Sequence, residues 1–212
     1  MLGADDGIVS VASIAIGVMA AGATRNAVFA AALAALTAGA MSMAAGEYVS
    51  VSSQRDTELA DLAQERYELA HDPAGEAREL AAIYRQRGLT AELANQVAAA
   101  LMSADALAAH ARDELGLSET TRARPMQAAL SSAASFILGG ALPLIALVVA
   151  SPALATATVT ASAIVALVIL GIAGAKAGGA PIVRAALRVG IGGTLAIAAT
   201  AGVGHLFGAV AG

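Results

Sequence analysis

The chain holds 212 residues, 58% of them hydrophobic and only 13% charged, and its mean hydropathy is positive. That apolar share exceeds what an ordinary water-soluble domain carries. The net charge of −4 is unevenly placed, because all 16 acidic residues lie between Asp5 and Glu119, and no nucleic-acid partner is expected. With no cysteine, disulfides, thiolate metal sites and thiol nucleophiles are excluded, so metal ligands must be carboxylate, imidazole, thioether or carbonyl groups.

The N-terminus has no basic region ahead of its first apolar stretch, which argues against a cleaved signal peptide. Its abrupt start fits a compact terminus or a start codon placed too far downstream. Uncharged runs at residues 8–24 and 26–46 predict the first two membrane spans, each close to the ~20 helical residues that cross a hydrocarbon core of ~30 Å. Residues 54–124 carry most of the charge and read as soluble helices broken at His71 to Gly75, Arg87 to Thr90 and Gly116 to Ser118. Thr90 and Ser103 are the expected N-caps of the later helices. Three further uncharged runs, 126–150, 153–175 and 189–210, predict spans three to five. The expected fold is therefore all-α and integral to the membrane, with five transmembrane helices and a cytoplasmic three-helix insert between helices two and three. Its expected domains are 1–53, 54–124 and 125–212.

Basic residues set the orientation, since loops rich in Lys and Arg stay cytoplasmic. Arg55, Arg66, Arg78, Arg85, Arg87, Arg112, Arg122 and Arg124 flank or populate the insert, Lys176, Arg184 and Arg188 separate spans four and five, and only Arg25 remains for the opposite side. The N-terminus and insert are then inside and the C-terminus outside. Arginine outnumbers lysine eleven to one, a bias associated with GC-rich prokaryotic genomes and hence with the cytoplasmic membrane of a prokaryote. Lipid supplies no hydrophobic drive between helices, so packing relies on small residues at four-residue spacing, such as Gly39 and Met43 to Ser42 and Gly46, or Gly174 and Gly178. An odd span count with so many small residues makes a homodimer plausible.

Polar groups at membrane depth are the first functional candidates, because they are expensive there. Asp6 opens span one, Glu47 closes span two after Met41 and Met43, and His205 stands alone in span five. A carboxylate pair with a thioether nearby suits iron(II) or manganese(II) better than magnesium. In the insert, Glu58, Asp61, Glu65 and Glu68 step by three, four and three, Glu76 and Glu79 repeat the step, and Glu114 follows His110 by four. Such a line of like charge needs a cation. A bound metal supplies one and the interleaved arginines another, and spacing alone leaves both open. Di-iron Glu-x-x-His pairs, nucleotide loops, His-Glu-x-x-His and Gly-x-Ser-x-Gly are all missing, so no enzyme and no catalytic cofactor are expected.

Asp6-Gly7-Ile8-Val9-Ser10, the run from Gly39 through Met41-Ser42-Met43-Ala44-Ala45-Gly46-Glu47-Tyr48-Val49-Ser50 to Asp56, and the Ala108 to Gly116 ending of the insert together resemble the vacuolar iron transporter family in its prokaryotic form, over essentially the whole chain. The resemblance implies a homodimeric five-span exporter of iron(II) and related divalent ions in exchange for protons. It implies an ion path beside spans one and two, with Asp6 and Met43 as path residues, and a metal-binding insert using Glu65, Glu68, Glu76, Glu79 and Glu114. Plant members carry a glutamate where this chain has Ala35, a proline in span one, and an insert methionine opposite His110; here an acid instead follows the path methionine, at Glu47. Manganese in place of iron is the rival substrate. A membrane-anchored metal sensor or scaffold, binding metal without transport, is the alternative from another class.

Overall fold

The computed structural model describes residues 2–118 and 122–211, and among them finds seven α-helices, one short 3-10 turn and no strand. In chain order these are α1 (Leu2–Ala20), α2 (Arg25–His71), α3 (Pro73–Gln86), α4 (Ala91–Asp113), α5 (Pro125–Val149), α6 (Ala155–Gly178) and α7 (Ile182–Ala211). Five of them, α1, α2, α5, α6 and α7, are long and apolar enough to cross a membrane. The chain forms two compact units, one of residues 1–48 and 126–212, the other of residues 49–125.

Several elements depart from the sequence expectation. The second span and the first insert helix are a single helix of 47 residues, because no glycine, proline or capping box interrupts the chain between Gly46 and His71. The insert therefore comprises the end of α2 together with α3 and α4. α1 begins at Leu2, so Asp5 and Asp6 sit inside its first turns, where the unpaired amides of a helix N-terminus favour negative charge. In α4 the break falls at Asp105, not Ser103: Asp105 has φ −161° and ψ 96°, and its carboxylate accepts the Ala108 amide at 2.9 Å. The Ser103 hydroxyl instead donates back to the Ala100 carbonyl. Thr90 caps α4 as expected, accepting from the Leu93 amide.

In the first unit α1 packs on α6 and α7. Its residues Ile8, Val11, Ala12, Ala15 and Ile16 are buried with Val159, Ala163 and Leu167 of α6 and Ile197 of α7, a three- and four-residue rhythm that puts one whole helix face in the core. The closest backbone crossings use other small residues than those singled out by spacing: a β-carbon on Gly204 would run into the backbone of Gly17, and one on Gly139 into the Ala4 carbonyl. Of the spaced residues, Gly39 lies tightly against the Phe136 ring, whereas Gly46 and Gly178 have open space. Arg25, at the start of α2, donates to the Leu147 and Val148 carbonyls at 2.9 and 2.7 Å, satisfying acceptors that the C-terminus of α5 leaves free. In the second unit α3 packs on α4 through Leu80, Ala81, Ala98 and Ala109. Asp72 starts α3 by accepting the Gly75 amide at 2.8 Å, with Pro73 at the first helical position.

Candidate metal-binding site

Three helices of the second unit each bring acid to one point. Glu65 projects from α2, Glu76 from the first turn of α3, His110 from the last turn of α4 and Glu114 from the residue that caps it. Each offers a ligand atom, and the four atoms lie within 4.8 Å of one another. The His110 Nδ1 is 3.0 Å from Glu65 Oε1, 3.0 Å from Glu114 Oε2 and 3.7 Å from Glu76 Oε2. The side chain of His110 is fully buried and that of Glu65 only 3% exposed, while Glu114, at 28%, opens the site to solvent. His110 Nε2 is buried without a hydrogen-bond partner among the described residues, and Glu65 Oε1, though within ion-pair distance of His110 Nδ1, makes no well-aligned hydrogen bond.

Three carboxylates around one imidazole carry more negative charge than the ring can balance. Burial first, then the neighbouring Glu114 charge, pushes the Glu65 carboxyl up to about 7. Burial and then Glu79 also raise Glu76. Protons or a cation must supply the missing charge. The donor set, one nitrogen and three carboxylates, fits a borderline divalent ion such as iron(II), and manganese(II) through its oxygens.

A clip beside the site holds its two shorter helices together. Asp113, next to Glu114, accepts from Arg87 Nη1 at 2.7 Å and from the Tyr84 hydroxyl at 2.9 Å, joining the end of α3 to the end of α4. Burial alone would raise its carboxyl, but hydrogen bonds from Arg112, Arg87 and Tyr84 outweigh this and bring it down to about 2.

Of the expected ligands, the structure gathers Glu65, Glu76 and Glu114. Glu68 is half-buried at the rim, accepting from Gln64 at 2.7 Å. Its charge acts on both Glu65 and Glu76. Glu79 is exposed on α3. His110 lies at the centre of the cluster; the sequence expectation left its role open, and its position opposite the insert methionine of plant members, an exchange of one ligand for another, and its four-residue spacing from Glu114 were the available signals. In the first unit Asp6 is exposed, and Met43 and Glu47, four apart on one face of α2, are half-buried. Met41 is 68% exposed. Among the described residues, Asp6 and Glu47 join no group of three or more metal-ligating side chains.

Comparison with known proteins bears on this geometry. The sequence profile of the VIT family matches residues 1–205. A protein of Acanthamoeba castellanii named vacuolar iron transporter is 46% identical over 207 residues, covering 97% of this chain and 76% of its own. Vacuolar iron transporter homolog 1 of Oryza sativa subsp. japonica is 37% identical, over 98% of this chain and 72% of its own. Vacuolar iron transporter homolog 2.1 of Arabidopsis thaliana is 32% identical, over the whole of this chain and 81% of its own.

Proposed function

The chain belongs to the VIT family, a family of transporters and not of enzymes, and from that premise we propose that it exports iron(II) or manganese(II) from the cytoplasm in exchange for protons. The observation that carries the reading is the buried Glu65, Glu76, His110 and Glu114 cluster: a family of metal-ion carriers gives a reason for negative charge that the protein leaves unbalanced. In this reading the insert is cytoplasmic and captures the ion, with Glu68 and Glu79 drawing cations to its rim. Asp6, Met43 and Glu47 line the path through the membrane in a homodimer. The exposure of Asp6 in the single chain is what a residue shared between two subunits requires. Met43, not the exposed Met41, supplies the thioether. Protonation of Asp6 or Glu47 from the far side lowers affinity and releases the ion. The membrane is the cytoplasmic membrane of a prokaryote, with N-terminus and insert inside.

The test is metal flux into liposomes holding the purified protein, with iron(II) and manganese(II) compared with and without an opposing pH gradient. Gradient-driven flux of either ion is expected and names the substrate. Metal binding without flux would overturn the transport reading in favour of a membrane-anchored sensor or scaffold.

A further inference from the structure

The outer face between α6 and α7 holds a groove of about 360 Å³ that metal transport does not use. Its walls include Ile164 and Val168 of α6 and Leu187, Gly190, Ile191 and Thr194 of α7. The threonine is the one polar side chain of the lining, and its hydroxyl is already committed to the Gly190 carbonyl at 2.7 Å. Chemically the groove is hydrocarbon. At Gly190 a missing side chain keeps it open: a β-carbon there would stand 3.2 Å from Val168 Cγ2.

The groove is amphipathic along its length. On α7, Arg184, Arg188, Ile191 and Leu195 follow one another in steps of four, three and four, so two arginines share a stripe with two groove residues. Both arginines are exposed. Lys176, also exposed, lies in the last turn of α6. The turn between Gly178 and Ile182 is short and begins at Gly179 with φ 65°, so all three cations stand at the same end of the helix pair. No Asp or Glu occurs anywhere in α5, α6 or α7. Positive charge at one end of an apolar groove, in a helix pair without acid, matches a molecule with an anionic head and a hydrocarbon chain.

We propose that the α6–α7 groove is a binding site for an anionic phospholipid, with one acyl chain between Val168, Leu187 and Ile191 and the phosphate on Arg184 and Arg188. The chain removes apolar side chains from contact with mobile lipid. The headgroup neutralises cations that make no ion pair among the described residues.

Native mass spectrometry of the full chain in detergent tests this, by titration with phosphatidylglycerol and with phosphatidylcholine of the same acyl chains. Saturable retention of one phosphatidylglycerol per chain is expected, with phosphatidylcholine roughly 30-fold weaker if each arginine adds about 1 kcal/mol. The Arg184→Gln, Arg188→Gln double variant should bind the two lipids alike. Thr194→Phe, which fills the groove and keeps both arginines, should lose both, and carries the test if the double variant does not fold. Equal retention of the two lipids by the native chain, unchanged retention in Thr194→Phe, or displacement of phosphatidylglycerol by inorganic phosphate would each overturn the proposal. So would a change of oligomeric mass in Thr194→Phe, which would make a second copy the occupant.

Discussion

His110 brings the only nitrogen into a site otherwise built of carboxylate oxygens, and its ring is fully buried. Imidazole favours iron(II) over manganese(II), whereas carboxylates alone suit manganese(II) well. His110→Ala should therefore weaken iron(II) binding by at least the ~10-fold that even an outer-shell partner of a metal is worth, and weaken manganese(II) binding less. Calorimetric titration of the full chain under anaerobic conditions reads both; equal losses for the two ions would deny the ring a ligand's role. Glu65 sets the pH dependence. Its carboxyl titrates at about 7 instead of the usual 4.5, so between those values the folded insert holds a proton that the unfolded chain has released. The metal-free fold thus loses stability as pH rises through that window, while the ionised form that binds metal accumulates. Manganese(II) affinity should fall about tenfold between pH 8 and pH 6, as the ionised fraction of a group at 7 does. Glu65→Gln should remove that pH dependence along with part of the affinity.

At the level of helices, apolar runs and breakers were legible, and junctions were not. The breaks at Asp72-Pro73 and Gly88 are local chemistry: an N-cap with proline after it, and a glycine at φ 100°. The continuity of α2 was hidden because a change from apolar to charged composition marks a change of solvent, and a helix can pass through it unbroken. Asp105 and Ser103 are both good caps, and only the side-chain geometry of the folded chain chooses between them. Helix crossings were equally illegible, since an alanine- and glycine-rich chain offers many small pairs and contact depends on rotational phase. Gly17 and Gly204 are the pair that α1 and α7 use. Gly204→Leu should therefore lower the thermal midpoint of the purified protein markedly, through overpacking that costs about 1–3 kcal/mol or more. Gly46→Ala, inside α2 with nothing within 4 Å, should not lower the midpoint and should raise it slightly, since alanine is the better helix former. A tolerated Gly204→Leu would show that the two helices do not cross there.

Across the whole molecule, the acid and the apolar length are segregated. The four-residue cluster lies in the unit of residues 49–125, and Asp6, Met43 and Glu47 in the other. The sequence made that segregation visible through charge placement. It did not reveal His110 as the centre of the cluster, because convergence from α2, α3 and α4 is a tertiary fact that no single-helix spacing carries. If the first unit conducts and the second captures, damage to each has its own kinetic signature. Asp6→Asn removes a path carboxylate and leaves the cluster intact, so flux into liposomes should fall to background while metal still binds the purified protein with native affinity. Glu65→Gln removes a capture ligand and leaves the path intact, so the half-saturating metal concentration should rise with the maximal flux largely kept, the pattern of lost binding rather than lost conduction. Both variants need only an initial-rate series over metal concentration and a binding titration on the same preparation. Were Asp6→Asn to transport at the native rate, the path would have to run elsewhere; were Glu65→Gln to lower only the maximal flux, the cluster would belong to the conducting step itself.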